Sequence, residues 1–147
     1  MASSGPARVL VVAHRTAATP GLLAAVAERA ARGPATFTLL VPRAVHGLHR
    51  VIDPETGGDE EAELVLELAL PLLEEAAGGP VEGLVGDASP LTAIQDAVNA
   101  RGFDELIISM LPARVSRWLH LDLPSKARGL GLPVTTVVAG ERARTTA

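Results

Sequence analysis

From Val9 to Ala13 the chain runs through five consecutive aliphatic residues with no alternation of apolar and polar side chains. That pattern belongs to a strand covered on both faces, as in a parallel sheet. The residues beyond it keep the rhythm of such a sheet. After the loop His14 to Ala18, Thr19 is placed as an N-cap and Pro20 as a first helical residue. Leu22, Leu23, Val26 and Ala30 then repeat on one face until Gly33 and Pro34 stop the helix. Phe37 to Val41 reads as a second strand, with Pro42 directly after it. A long connection from Arg43 to Gly58 carries Pro54, Gly57 and Gly58 and reads as a surface loop.

The second half repeats the alternation. Asp59 is expected to cap a helix running to about Ala77, with Glu60, Glu61 and Glu63 where the helix dipole favours negative charge. Pro71 inside it removes one backbone donor and predicts a kink or a break. Gly83 to Val85 forms a short third strand. Ser89 and Pro90 open a third helix with Leu91, Ile94, Ala97 and Val98 inward, closed by Arg101 and Gly102. Glu105 to Ser109 is the fourth strand, Ser116 to Gly129 is helical in parts with an interruption at Pro124, and Pro133 to Ala139 is the fifth strand. The polar tail from Gly140 is expected to fray.

Strands alternating with helices predict an α/β fold, a single doubly wound five-stranded parallel sheet of order 3-2-1-4-5 with helices on both faces. One domain over residues 8–140 is expected, with 1–7 and 141–147 as flexible termini; a chain of 147 residues buries ~70% of its unfolded surface. With 2% aromatic residues the core must be aliphatic, and with no cysteine, thiolate metal sites, disulfides and cysteine nucleophiles are excluded. A net charge of −4 opposes wholesale binding to nucleic acid or anionic membranes. The apolar run ending at His14 is too short for a secretory signal, and Leu64 to Leu73, broken by Glu67 and Pro71, is too short for a membrane span. A cytoplasmic location is expected.

In this topology a ligand sits beyond the carboxyl ends of the first and fourth strands, where the winding reverses. The loops that matter are His14 to Thr19 and Ser109 to Trp118. A receiver domain would place acids after the first strand, where Ala13 and His14 stand, and Asp87 alone does not make that site. A flavodoxin-type loop is only faintly similar to His14 to Thr19, and Trp118 is the one large aromatic available to stack a flavin. The Gly-x-Gly-x-x-Gly dinucleotide fingerprint is absent.

The chain resembles the universal stress protein family, within the adenine nucleotide alpha hydrolase-like folds, over Val9 to Ala139. The resemblance rests on Val9 to Thr16 as opening strand and turn, Gly86 to Ser89, Asp104 to Ser109, and Pro133 to Val138 as closing strand. The run Leu111 to Pro124 is similar to a branch of that family found in actinobacteria. In nucleotide-binding members the first strand ends in an aspartate, and a Gly-x2-Gly-x9-Gly-Ser/Thr motif after the fourth strand holds phosphates and ribose. Here His14 stands in place of the aspartate, Ser109 and Pro112 in place of the first two glycines, and Asp122 with Leu123 near the final Gly-Ser. Proline offers no backbone donor and a carboxylate repels phosphate. The resemblance therefore implies a degenerate nucleotide site.

The replacements suggest chemistry of their own. Arg114, Ser116 and Arg117 lie near a helix start, facing His14, Arg15 and Thr16 across the switch point, and guanidinium groups suit phosphate or carboxylate. With Ser109 and with Val41 at the end of the second strand, these residues are the candidate ligand-binding set. On the plainer reading Ser116 is only an N-cap and the arginines are solvated or paired with Asp122 and Glu105. His46, His49 and Asp53 are imaginable as a metal site but read as a polar loop, and His120 adds nothing decisive. Trp118 suits core capping better than base stacking. The adjacent pairs Glu60/Glu61 and Glu74/Glu75 point apart on helix surfaces, Ser89 lacks a nucleophile elbow, and Lys126 reads as a surface charge.

The expectation is a non-enzymatic stress-response domain without a cofactor, binding a small anion or nucleotide. Family resemblance implies a homodimer through Pro133 to Val138, a β-branched strand that would otherwise be an exposed edge. Two alternatives stand beside it. One is an interaction module whose crevice is filled by Leu111, Trp118 and Leu119; the other retains ATP or AMP through a non-standard loop.

Overall fold

The computed structural model describes residues 5–43, 57–112, 116–140 and 144–146. Strand β1 (Ala7–Val12) lies between β2 (Ala35–Pro42) and β4 (Glu105–Met110), with β3 (Val81–Gly86) beyond β2 and β5 (Val134–Val138) beyond β4. These five strands are parallel in the order 3-2-1-4-5. Helices α1 (Pro20–Arg32), α2 (Gly57–Ala77), α3 (Pro90–Arg101), α4 (Arg117–His120) and α5 (Leu123–Arg128) complete the frame.

The unbroken aliphatic run of β1 is explained by what lies on either side. Val9 and Val11 face one core layer with Leu22 and Val26 of α1 and Ala62, Ala69 and Leu73 of α2. Leu10 and Val12 face the other, with Ala93 and Ile94 of α3 and Leu123 and Ala127 of α5. Because successive side chains of a strand alternate between faces, a strand sandwiched by helices must be apolar at every position. At the end of β3 the packing leaves no room for a side chain: a Cβ on Gly86 would stand 2.7 Å from the Cβ of Ala93 and 2.8 Å from a Leu40 methyl. That glycine lets α3 approach the sheet directly before the loop that borders the switch point.

Several local expectations are corrected. Thr19 occupies the N-cap position of α1, but its hydroxyl donates to the Thr16 carbonyl at 3.1 Å and does not cap the helix. α2 begins at Gly57, so Asp59 lies in its first turn and not at its cap. The same helix continues through Pro71 without a break. Pro71 and Glu67 are both exposed, so water can satisfy the carbonyl that the proline leaves without a donor. The region Ser116 to Gly129 is two short helices joined at Leu121 and Asp122.

The largest difference is at the end of the chain. In place of a frayed polar tail, Arg144–Thr146 forms a sixth strand, β6, antiparallel to β5, pairing Val134 with Thr146 and Thr136 with Arg144. The outer edge of β5 is thus covered by the chain itself. Among the described residues, no helix is long and apolar enough to cross a membrane.

A bidentate ion pair ties α1 to the base of β4. The Arg29 Nε and Nη2 donate to the Glu105 carboxylate at 2.9 and 2.7 Å, and both side chains are largely buried. The hydrogen bond from Arg29 to this carboxylate is the main cause of a guanidinium pKa held above its ordinary value. Glu105 is therefore engaged at the amino end of its strand and is not a counter-charge for the crevice arginines.

Candidate functional site

A cleft of about 290 Å³ opens at the carboxyl ends of β1, β2 and β4. Its position comes from topology: β1 lies between β2 and β4, and the crossovers leave it in opposite directions. The loop after β1 contributes His14, Arg15 and Thr16, the end of β4 contributes Ser109 to Leu111, and α4 with its cap contributes Ser116, Arg117 and Trp118. The start of α3, at Ala88 and Pro90, closes one side.

The floor is held by two hydroxyls. Thr16 Oγ1 and Ser109 Oγ are 2.6 Å apart, and the residues are 2% and 1% exposed, so this bond latches the β1–α1 turn to the end of β4 away from water. Replacing Ser109 by Ala leaves the Thr16 hydroxyl buried without that partner and should cost about 1–3 kcal/mol. The expected signature is a fall in chemical-denaturation midpoint for Ser109→Ala that the double change Thr16→Val with Ser109→Ala largely reverses. A single variant as stable as the parent would show the latch to be energetically idle.

Above that floor the charges are unequal. Arg15, Arg43 and Arg117 border the cleft, and Glu61 of α2 is the one carboxylate among its described lining residues. His14 Nε2 lies 3.5 Å from the Glu61 carboxylate. The Arg43 guanidinium donates to the Gly86 carbonyl at 3.3 Å, which anchors it at the rim. Among the described residues neither Arg15 nor Arg117 has an acidic partner, and both are exposed at the mouth. Trp118 serves two surfaces: it packs against the core layer of α3 and α5, and it forms part of the cleft wall. Leu111 lines the same space without filling it.

The sequence-derived set is thus partly gathered. His14, Arg15, Thr16, Ser109, Ser116 and Arg117 meet at the cleft. Val41 does not: it is 0% exposed in the layer under α1 and α2, because strand alternation turns it inward, and Pro42 and Arg43 reach the rim instead. Arg114 lies in residues 113–115, outside the described residues, as do His46, His49 and Asp53. Ser116 is buried and accepts a hydrogen bond from the Leu119 backbone at 3.2 Å, the N-cap role of the plainer reading. Among the described residues no three His, Asp or Glu side chains gather to hold a metal.

Two charged lining residues, Arg43 and Glu61, lie outside the sequence-derived set. Arg43 comes directly after the carboxyl end of β2, so the rule that flags His14 and Ser109 could have found it. Glu61 reaches the cleft from α2, and no local pattern announces that. One departure from the phosphate-binding motif is softer in structure than in sequence. Asp122, near the final glycine of the motif, has φ 57° and ψ 40°, the left-handed conformation that glycine favours. The turn there keeps a glycine-like backbone while presenting a carboxylate.

No protein-family model matches the sequence, and no curated protein matches it. Solved structures do. A universal stress protein family protein from Arabidopsis thaliana, solved with AMP bound, superposes with a TM-score of 0.62 at 14% identity, covering 92% of this chain and 93% of that one. A hypothetical protein superposes with a TM-score of 0.58 at 15% identity, covering 92% and 98%. The class defined by architecture and cleft position is a doubly wound α/β domain with its crevice at the β1/β4 switch point. More particularly, the fold is like that of the universal stress protein family structure from Arabidopsis thaliana.

Proposed function

We propose that this chain is a non-enzymatic universal-stress-protein-like domain, cytoplasmic and stress-related, whose cleft binds a small anionic ligand without the usual triphosphate clamp. The observation that carries this reading is the convergence of Arg15, Arg43 and Arg117 on one cleft with Glu61 as the only carboxylate of its described lining. Guanidinium groups are suited to phosphate and carboxylate by their planar fork of donors. The size supports a small ligand, since about 290 Å³ lies at the lower end of the ~300–1,000 Å³ range of ligand pockets. The Arabidopsis neighbour was solved with AMP, which makes a nucleoside monophosphate the natural first probe.

Thermal melting in inorganic phosphate, AMP and magnesium-ATP tests this directly. A ligand at a hundred times its dissociation constant adds ~2.7 kcal/mol, a rise of roughly 8 °C for a domain of this size. Stabilisation by AMP or phosphate is expected. No shift with any anion would remove the ligand and leave an interaction module.

The homodimer belongs to this proposal in altered form. β6 already pairs with Val134 to Thr136 of β5, so a partner reaches that edge only by displacing or exchanging β6. Deleting residues 141–147 should therefore raise the dimer fraction in sedimentation equilibrium. A truncated chain no more associated than the full one would rule out direct pairing between the β5 edges of two copies.

A further inference from the structure

One face of α2 is apolar where nothing among the described residues covers it. The helix spends Ala62, Ala69 and Leu73 on the core, with Val65, Leu66 and Leu70 packed beside them. On the opposite side Leu64, Leu68 and Leu72 are 53%, 65% and 44% exposed. Their spacing of four residues makes them a single ridge, about 12 Å long at the rise of an α-helix. Isolated surface leucines are unremarkable, but three in register on one helix are a contiguous patch.

The charges around the ridge say what can cover it. Residues 57–77 contain seven Asp or Glu and no Lys or Arg. Two of the seven are turned elsewhere: Glu61 faces His14, and Glu74 accepts from the Val81 backbone. Glu60, Glu67 and Glu75 are exposed and flank the ridge, while Glu63 is exposed further round the helix. Pairing α2 with α2 of a second copy would set carboxylates against carboxylates, and an anionic bilayer would be repelled in the same way. A cationic amphipathic helix meets both requirements, apolar residues on the leucines and Lys or Arg against the glutamates.

We propose that the ridge Leu64, Leu68 and Leu72 docks a basic amphipathic helical segment of another protein. The site is separate from the β5 edge, on the opposite flank of the sheet, and it does not depend on the anion cleft. The probe is a fluorescent peptide of about 14 residues, long enough for about 21 Å of helix, with leucines four residues apart and flanking lysines. Fluorescence anisotropy with the full chain should show saturable binding that weakens at least about tenfold in the variant Leu64→Ser with Leu68→Ser. Raising salt from about 0.05 to 0.5 M should weaken it as well, and a peptide with glutamate in place of lysine should not bind. Both leucines are exposed, and an unchanged melting temperature of the variant confirms an intact fold. Equal binding by the variant or by the acidic peptide overturns the proposal. So does self-association of the chain that the same variant abolishes, which would give the ridge to a second copy. Slow thiol labelling of Leu68→Cys in the isolated chain also overturns it, because residues 44–56 would then be the cover.

Discussion

Reversing two charges, Arg15→Glu with Arg117→Glu, should abolish anion binding while leaving the fold intact. Both side chains are exposed at the cleft mouth, so the change costs no buried contact. Each reversal removes an attractive charge and adds a repulsive one. At about 6 Å and an effective dielectric near 20, one unit charge is worth roughly 2.8 kcal/mol. Solvent screening at an exposed rim cuts that severely, yet four units of altered charge should still weaken phosphate or AMP by at least about a hundredfold, or ~2.7 kcal/mol. The measurement is the loss of ligand-induced stabilisation at matched melting temperature of the free protein. Unchanged stabilisation by AMP would mean that the ligand is held elsewhere.

Breaking the pair between α1 and β4 should have the largest effect on the fold. Arg29→Met leaves the Glu105 carboxylate in a largely buried site without its bidentate donor. Orphaning one member of a buried pair costs ~3–5 kcal/mol; partial exposure here places the expectation near 3, a drop of about 9 °C in melting temperature. Replacing both, Arg29→Met with Glu105→Leu, should recover most of it, since an apolar pair avoids the desolvation penalty. The raised pKa of Arg29 has a definite sign: the pair stabilises fully below the unfolded-state value and is lost only as pH rises through the folded one. Its contribution should therefore not fall through deprotonation of Arg29 across the neutral range. A single variant that melts with the parent would show the pair to be ornamental.

The frame was legible because its signals are local. The unbroken run Val9 to Ala13 fits a strand covered on both faces, which β1 supplies from Ala7 to Val12, and Pro20, Ser89–Pro90 and Gly102 mark helix ends by backbone chemistry. His14 and Ser109 came from one topological rule. The features that could not be seen depend on distant parts of the chain. Glu61 enters the cleft because α2 packs across β2 and β3, and Arg29 finds Glu105 across 76 positions. Val41 stands at a strand end, where position alone points to the site, but the alternation of side chains turns it into the core. β6 lacks apolar residues altogether; Thr145 and Thr146 are suited to an edge strand, but backbone pairing with β5 gives that segment its order. Pro71 does not break its helix, because a proline inside a helix is tolerated where the carbonyl it leaves without a donor can meet water.

The loop after β4 is where this molecule departs most from the glycine-rich pattern it resembles. Pro112 stiffens the corner and donates nothing, while Asp122 keeps a left-handed turn and adds a negative charge. On the function proposed, the proline opposes a triphosphate held by backbone amides and leaves the arginines of the cleft to hold an anion. Titration calorimetry of AMP against magnesium-ATP is the most direct measurement of that claim. One AMP per chain, bound more tightly than ATP and lost on reversal of Arg15 and Arg117, is the expected result. Tighter binding of ATP that survives the reversal would contradict it.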